Sequence, residues 1–182
     1  MRISSANPGW QIERADDGAL LVSPTGTPGG AKSGEAFAQL YLFAKRAAGK
    51  TYASNTGFKT PEGGVVCPDA SWVCAERVEQ FRQQVGFWEM MPDVAIEVAS
   101  PSDSWTTLRA KIDKFISDGA GFAIAIACQP RDLCQRFTTA RIDNRHRCDR
   151  RCMRHGAMAD NLRTRNMSDQ LVIPLHESIY GD

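Results

Sequence analysis

The chain has 182 residues, of which 42% are hydrophobic and 24% charged, with a formal net charge of +1. Such a composition suits one globular domain with its own core and excludes fibrous or wholly disordered classes, while a charge this near zero says nothing about nucleic acid. The longest apolar run, Phe122 to Cys128, falls far short of the ~20 residues of a membrane span, and Met1 to Trp10 lacks a signal peptide's apolar stretch, so the expectation is a cytoplasmic protein with reduced thiols and no membrane.

In chain order, Trp10 and Ile12, then Asp16-Asp17-Gly18, then Leu20-Leu21-Val22 predict a hairpin within Pro8 to Val22. Ser23 to Gly34 is rich in Pro, Gly, Ser and Thr and reads as a loop. Phe37, Leu40, Tyr41 and Ala44 recur at helical spacing, which predicts a helix from Ser33 to Ala48 stopped by Gly49. Thr51 to Phe58 and Val65 to Val73 read as strands joined by a Pro-Glu-Gly-Gly turn, and Ala75 to Gln84 as a short polar helix. Asp93 to Ala99 is a strand with β-branched residues at alternate positions. Ser102 or Asp103 caps a helix running to Ser117, and Gly119 stops it. Gly121 to Ile126 is a further strand, parallel to the one before the helix. The fold class is α/β.

The chain changes character near Ala127. Residues 1–126 carry six lysines, six arginines and fourteen acids, a net of −2, and residues 127–182 carry no lysine, ten arginines and seven acids, a net of +3. All three histidines and four of the six cysteines lie in the second part. From Cys128 to Gln170 no period of 2 or 3.6 is sustained, and only Leu171-Val172-Ile173 resembles a strand. The division is therefore a domain over 1–126 and an atypical Arg- and Cys-rich segment over 127–182. That segment reads either as a poorly ordered basic tail or as a stretch translated out of its ancestral reading frame.

A Pro-Asp pair opens two of the strands, at Pro68-Asp69 and Pro92-Asp93. Along the second strand Val94, Ile96 and Val98 share one face, while Asp93, Ala95, Glu97 and Ala99 share the other. A glutamate amid Val-Ala-Ile-Glu-Val-Ala is costly to bury unless it is paired or holds a cation. Laid side by side, the two strands bring Asp69 and Glu97 together as a hard-cation site. Magnesium takes one or two carboxylates and completes its shell with water and phosphate oxygens. The helix after Glu97 has an apolar stripe of Trp105, Leu108, Ile112, Phe115 and Ile116. At about 100° per residue, Lys111 falls at the edge of that stripe and can lean back over the sheet, whereas Lys114 falls opposite it, towards solvent. Arg109 lies at the other edge as a phosphate contact. Asp69 and Asp93 could each also be an ordinary strand-entry residue, and Lys111 a snorkelling one.

Pro68-Asp69-Ala70-Ser71-Trp72-Val73, the run Pro92 to Asp103, Leu108-Arg109-Ala110-Lys111 and Asp118-Gly119-Ala120 resemble the Uma-two family, within the PD-(D/E)XK, restriction-endonuclease-like superfamily. Asn7-Pro8-Gly9-Trp10, Ile12-Glu13-Arg14 and Ser54-Asn55-Thr56-Gly57-Phe58 fit it too, so the match runs from about Asn7 to Ile126. The resemblance implies a mixed sheet flanked by helices, and an endonuclease that hydrolyses DNA phosphodiester bonds. It implies Mg2+ or Mn2+ bound by Asp69 and Glu97, and Lys111 as a catalytic residue in place of the superfamily lysine, whose usual position is Ala99 here. It also implies Glu35 as an additional acid and a homodimer on DNA. The segment after Ile126 departs from the family pattern. Two other readings compete. One is a non-catalytic nucleic-acid-binding protein or inactive nuclease remnant, with the arginines on phosphates. The other is a zinc module from Cys128, Cys134, Cys148, Cys152 and His155, whose spacing lacks tight pairs at both ends.

Overall fold

Asp16-Asp17-Gly18 turns the first hairpin because Gly18 takes φ +89° and the Asp17 carboxylate accepts the Ala19 N–H at 2.9 Å. The computed structural model describes residues 10–23, 26–100, 103–128 and 134–140. In it the hairpin strands β1 (Gln11–Arg14) and β2 (Leu20–Ser23) pair antiparallel, with Glu13 opposite Leu21.

The first helix, α1 (Thr27–Ala47), begins inside the segment expected to be a loop. Pro28 sits in its first turn, where a fixed φ and a missing N–H suit the helix, so Gly29 and Gly30 are carried into helix rather than breaking it. Ala36, Leu40, Ala44 and Ala47 are buried along one stripe. Gly49, at φ +102°, ends the element where the chain meets a strand; a Cβ there would stand 2.3 Å from the Val73 carbonyl oxygen.

The two strands expected next are each divided. They form β3 (Lys50–Ala53) and β4 (Phe58–Lys59), then β5 (Val65–Val66) and β6 (Ala70–Val73). Asn55, at φ +71°, breaks the first. Pro68 breaks the second, since it has no N–H to donate to a ladder. After α2 (Ala75–Phe81) come β7 (Val94–Val98), α3 (Trp105–Ser117) and β8 (Phe122–Cys128). Ser104, not Ser102 or Asp103, caps α3 by accepting the Thr107 N–H at 3.0 Å; Asp103 instead accepts the Ser100 N–H at 2.7 Å.

One more strand, β9 (Cys134–Ala140), pairs antiparallel with β8 from Phe122 opposite Ala140 to Cys128 opposite Cys134. No regular element was expected there. Its Phe137-Thr138-Thr139 has strand-forming residue types but too little alternation to stand out without a partner. Leu171–Ile173, Cys148, Cys152 and His155 lie outside the described residues.

The result is a mixed α/β fold with two sheets, of order β2-β1-β5-β4 and β3-β6-β7-β8-β9. In the larger sheet β6 runs antiparallel and β8 parallel to β7, as a helical crossover through α3 requires. One face, with Trp72, Val94, Ile96 and Ile124, packs on α1. The other face, with Val73, Ala95, Ala123 and Ala125, packs on Leu108, Ile112 and Phe115 of α3. The chain crosses between the sheets at Cys67-Pro68-Asp69, where side chains of β1 meet Cys67.

Candidate active site

Ala70 pairs with Ile96 across β6 and β7, so the next step of the same register sets Asp69 opposite Glu97. The carboxylates thus come from one end of two adjacent central strands. Glu97 shares its strand face with Ala95 and therefore looks towards α3. It is 6% exposed, and across β7 its register partner in β8 is Ala125, which has too small a side chain to fill the space.

Asp69 is held on both sides. Its Oδ1 accepts the Ser33 hydroxyl at 3.1 Å, and its Oδ2 accepts the Val98 N–H at 2.8 Å. Ser33 lies in the helical turn that Pro28 starts, and its hydroxyl also reaches the Gly29 carbonyl at 3.0 Å. Burial raises the Asp69 pKa, against the pull of the Val98 N–H and Ser33. Each Asp69 oxygen keeps an unused lone pair.

Lys111 leans back from the edge of the α3 stripe, as its position relative to Leu108 and Phe115 predicts. Its Nζ stands 3.1 Å from Glu97 Oε1 and 5.7 Å from the Phe115 ring centre. The approach to Oε1 is an ion pair off the hydrogen-bonding direction, and that oxygen has no well-aligned donor. Burial, the largest influence, pushes the Glu97 carboxyl up to about 8; Lys111 opposes the rise, and Asp69 and Glu13 add to it. Burial alone would lower the Lys111 pKa, but the charges of Glu97 and Glu13 outweigh it and the net shift is upward.

Glu13 is the acid that the sequence reading left without a role. It sits in β1, 12% exposed at its side chain, with both oxygens 3.3 Å from Lys111 Nζ. Its Oε1 also accepts the Cys67 N–H at 2.7 Å, while Gln11 donates to the Cys67 carbonyl at 2.9 Å. Two β1 side chains therefore satisfy the backbone of the residue that crosses between sheets. The only sequence trace of this role is the short Ile12-Glu13-Arg14 motif.

The other expected residues stand apart. Glu35 accepts a bond from Gln39 at 2.8 Å, and it lies about 200° round α1 from Ser33. Ser33 is the α1 residue that reaches Asp69; the Pro28 start of the helix could have shown it. Arg109, half-exposed, pairs with Asp113 at 3.6 Å and lies about 200° round α3 from Lys111. Lys114, expected towards solvent, is 42% exposed and there reaches Asp16 at 2.6 Å and Asp118 at 3.0 Å, because the β1–β2 turn folds over its end of the helix.

The oxygen donors of Asp69 and Glu97, with the undonated Glu97 Oε1, have the chemistry a hard divalent cation takes. Among the described residues no three His, Cys, Asp or Glu side chains form a cage by themselves. A magnesium-type site needs only one or two carboxylates, so the residues fit the ion.

Comparison with known proteins bears on this arrangement. The model of the Uma2 family, described as "Putative restriction endonuclease", matches residues 1–121. The solved structure of a putative nuclease belonging to DUF820 from Anabaena variabilis ATCC 29413 superposes with a TM-score of 0.54 at 17% identity. The match covers 69% of this chain and 75% of that one, and it shows a shared fold. No curated protein matches the chain.

Proposed function

This chain belongs to the Uma2 family, and from that premise we propose that it is a divalent-metal-dependent endonuclease that hydrolyses DNA phosphodiester bonds. The observation that carries the reading is the convergence of Asp69 and Glu97, both partly or wholly buried, with Lys111 3.1 Å from Glu97 Oε1. Asp69 and Glu97 would hold Mg2+ or Mn2+. When bound, the ion supplies Lewis acidity to the scissile phosphate and to water.

The chain's own residues do the rest. The Ser33 hydroxyl and the Val98 N–H keep the Asp69 carboxylate oriented and leave lone pairs on both oxygens. Burial raises the Glu97 carboxyl to about 8 in the metal-free protein, so it must give up its proton to hold the ion. The Lys111 ammonium provides a fixed positive charge where negative charge develops on the phosphate as water attacks and the ester oxygen leaves. Arg109, about 200° round α3 from Lys111, would meet a DNA phosphate away from the scissile one.

The protein acts on DNA in the cytoplasm, and a homodimer would place one such site on each strand. Among the described residues no helix is long and apolar enough to cross a membrane. The test is plasmid cleavage in magnesium by the wild type and by Glu97→Gln. Cleavage by the first and not the second supports the reading. DNA binding without cleavage by the wild type would sink it in favour of a binding protein or an inactive remnant.

A further inference from the structure

Lys111 reaches the carboxylates from a helix packed on the sheet, on a flexible four-carbon stem, and not from β7 itself. A long ammonium side chain loses considerable rotamer freedom when it is held in one place. Glu97 offers it one oxygen at 3.1 Å, off the hydrogen-bonding direction. Glu13 offers it two, each 3.3 Å away with hydrogen-bond geometry, from β1. Glu13 is itself pinned, since its Oε1 accepts the Cys67 N–H at 2.7 Å at the crossing between sheets.

We propose that Glu13 is a positioning residue that holds the Lys111 ammonium beside Glu97. Its carboxylate holds the ammonium from β1, so the hairpin, the sheet crossing and α3 together fix where that positive charge stands. The kinetic consequence rests on the nuclease reading; the placement of Lys111 does not.

Glu13→Gln separates the two jobs of this side chain. The amide keeps an oxygen for the Cys67 N–H, so β1 stays docked, but the negative charge is gone and an NH2 group faces the ammonium. The first readout needs no metal and no activity. Intact wild-type and variant proteins are treated with an amine-acylating reagent, and the labelling rate of each lysine is mapped by mass spectrometry. Lys111 is expected to label several-fold faster in the variant, with Lys114 unchanged. Equal Lys111 rates, or acceleration of both lysines together, would overturn the proposal.

The second readout is plasmid cleavage. Glu13→Gln should lower kcat by about 10- to 100-fold, the scale seen when an orienting partner is lost, with a smaller change in KM. In a Lys111→Met background it should cost nothing more, because a residue acting through Lys111 has nothing left to position. Losses that multiply in the double variant would show Glu13 acting on its own and defeat the proposal. A wild type that cleaves nothing sinks the nuclease reading alone, and the labelling comparison still decides the role of Glu13.

Discussion

Asp69 and Asp93 both follow a proline at the entrance to a central strand, yet their surroundings are opposite. Asp93 is 7% exposed and fully partnered: Arg77 Nη1 donates to its Oδ1 at 2.7 Å and the Cys74 N–H to its Oδ2 at 2.8 Å. Arg77 also donates to the Met91 carbonyl at 2.8 Å, so the pair ties α2 to the entry of β7. Asp69 has neutral donors only and sits beside Glu97 and Glu13, with one lysine among three carboxylates. A buried acid met by a guanidinium stabilises a fold, whereas buried acids set beside each other cost stability and mark chemistry. On the proposed reading, the same dipeptide serves structure at one strand and the reaction at the other.

The sharpest way to break this contrast is activity. Asp69→Asn and Glu97→Gln should each lower plasmid cleavage by at least about 1,000-fold, the scale of losing an essential catalytic group, without lowering the melting temperature at pH 8. Asp93→Ala should do the reverse. It leaves the Arg77 guanidinium, 18% exposed, without its partner, and should cost about 3 kcal/mol in urea unfolding. Equal stability losses at the two aspartates would erase the distinction.

A pH series sharpens it further. Glu97 faces Lys111 from α3, Glu13 from β1 and Asp69 from the neighbouring strand, and its carboxyl stands at about 8 against an ordinary 4.5. The folded state therefore holds this proton more tightly than the unfolded one. Its contribution to stability is fully present below about pH 4.5 and is lost as pH rises through about 8. Metal-free protein should lose several degrees of melting temperature across that window, and Glu97→Gln should flatten the slope. Magnesium affinity should rise over the same range, since the carboxylate must lose its proton to bind.

The smallest effect belongs to the other lysine of α3. Lys114 bridges Asp16 and Asp118 with its side chain 42% exposed. Lys114→Met should cost about 1–2 kcal/mol, because it leaves the buried Asp118 carboxylate without its cation, and should leave plasmid cleavage unchanged. A large loss of cleavage there would mean that the α3 lysines are not divided between site and scaffold.

Much of this was legible before any coordinates. The alternation of Asp93 to Ala99 placed Glu97 on the small-residue face, and the stripe of α3 placed Lys111 at its inner edge. Both are local periodicities, and a side chain's face follows from them directly. Glu13 was not legible, because its partners Cys67 and Lys111 lie 54 and 98 residues away in the chain. Ser33 was hidden by Gly29 and Gly30, which disguised the first turn of α1. Lys114 does point outward, but helical phase did not show that the β1–β2 turn reaches it there. β9 was missed because its regularity comes from pairing with β8 more than from its own pattern.

Sequence by itself determined the α/β class, the strand that presents Glu97, the helix that carries Lys111 and the family resemblance. These follow from short-range patterning of apolar and polar residues, which every residue feels through its immediate neighbours. Tertiary structure alone decided that Asp69 joins a cluster of acids while Asp93 joins an arginine, and that a glutamate from the first hairpin closes on Lys111. The energy of a buried charge depends on the charges and donors around it in space, and the chain order of this protein does not record who those neighbours are.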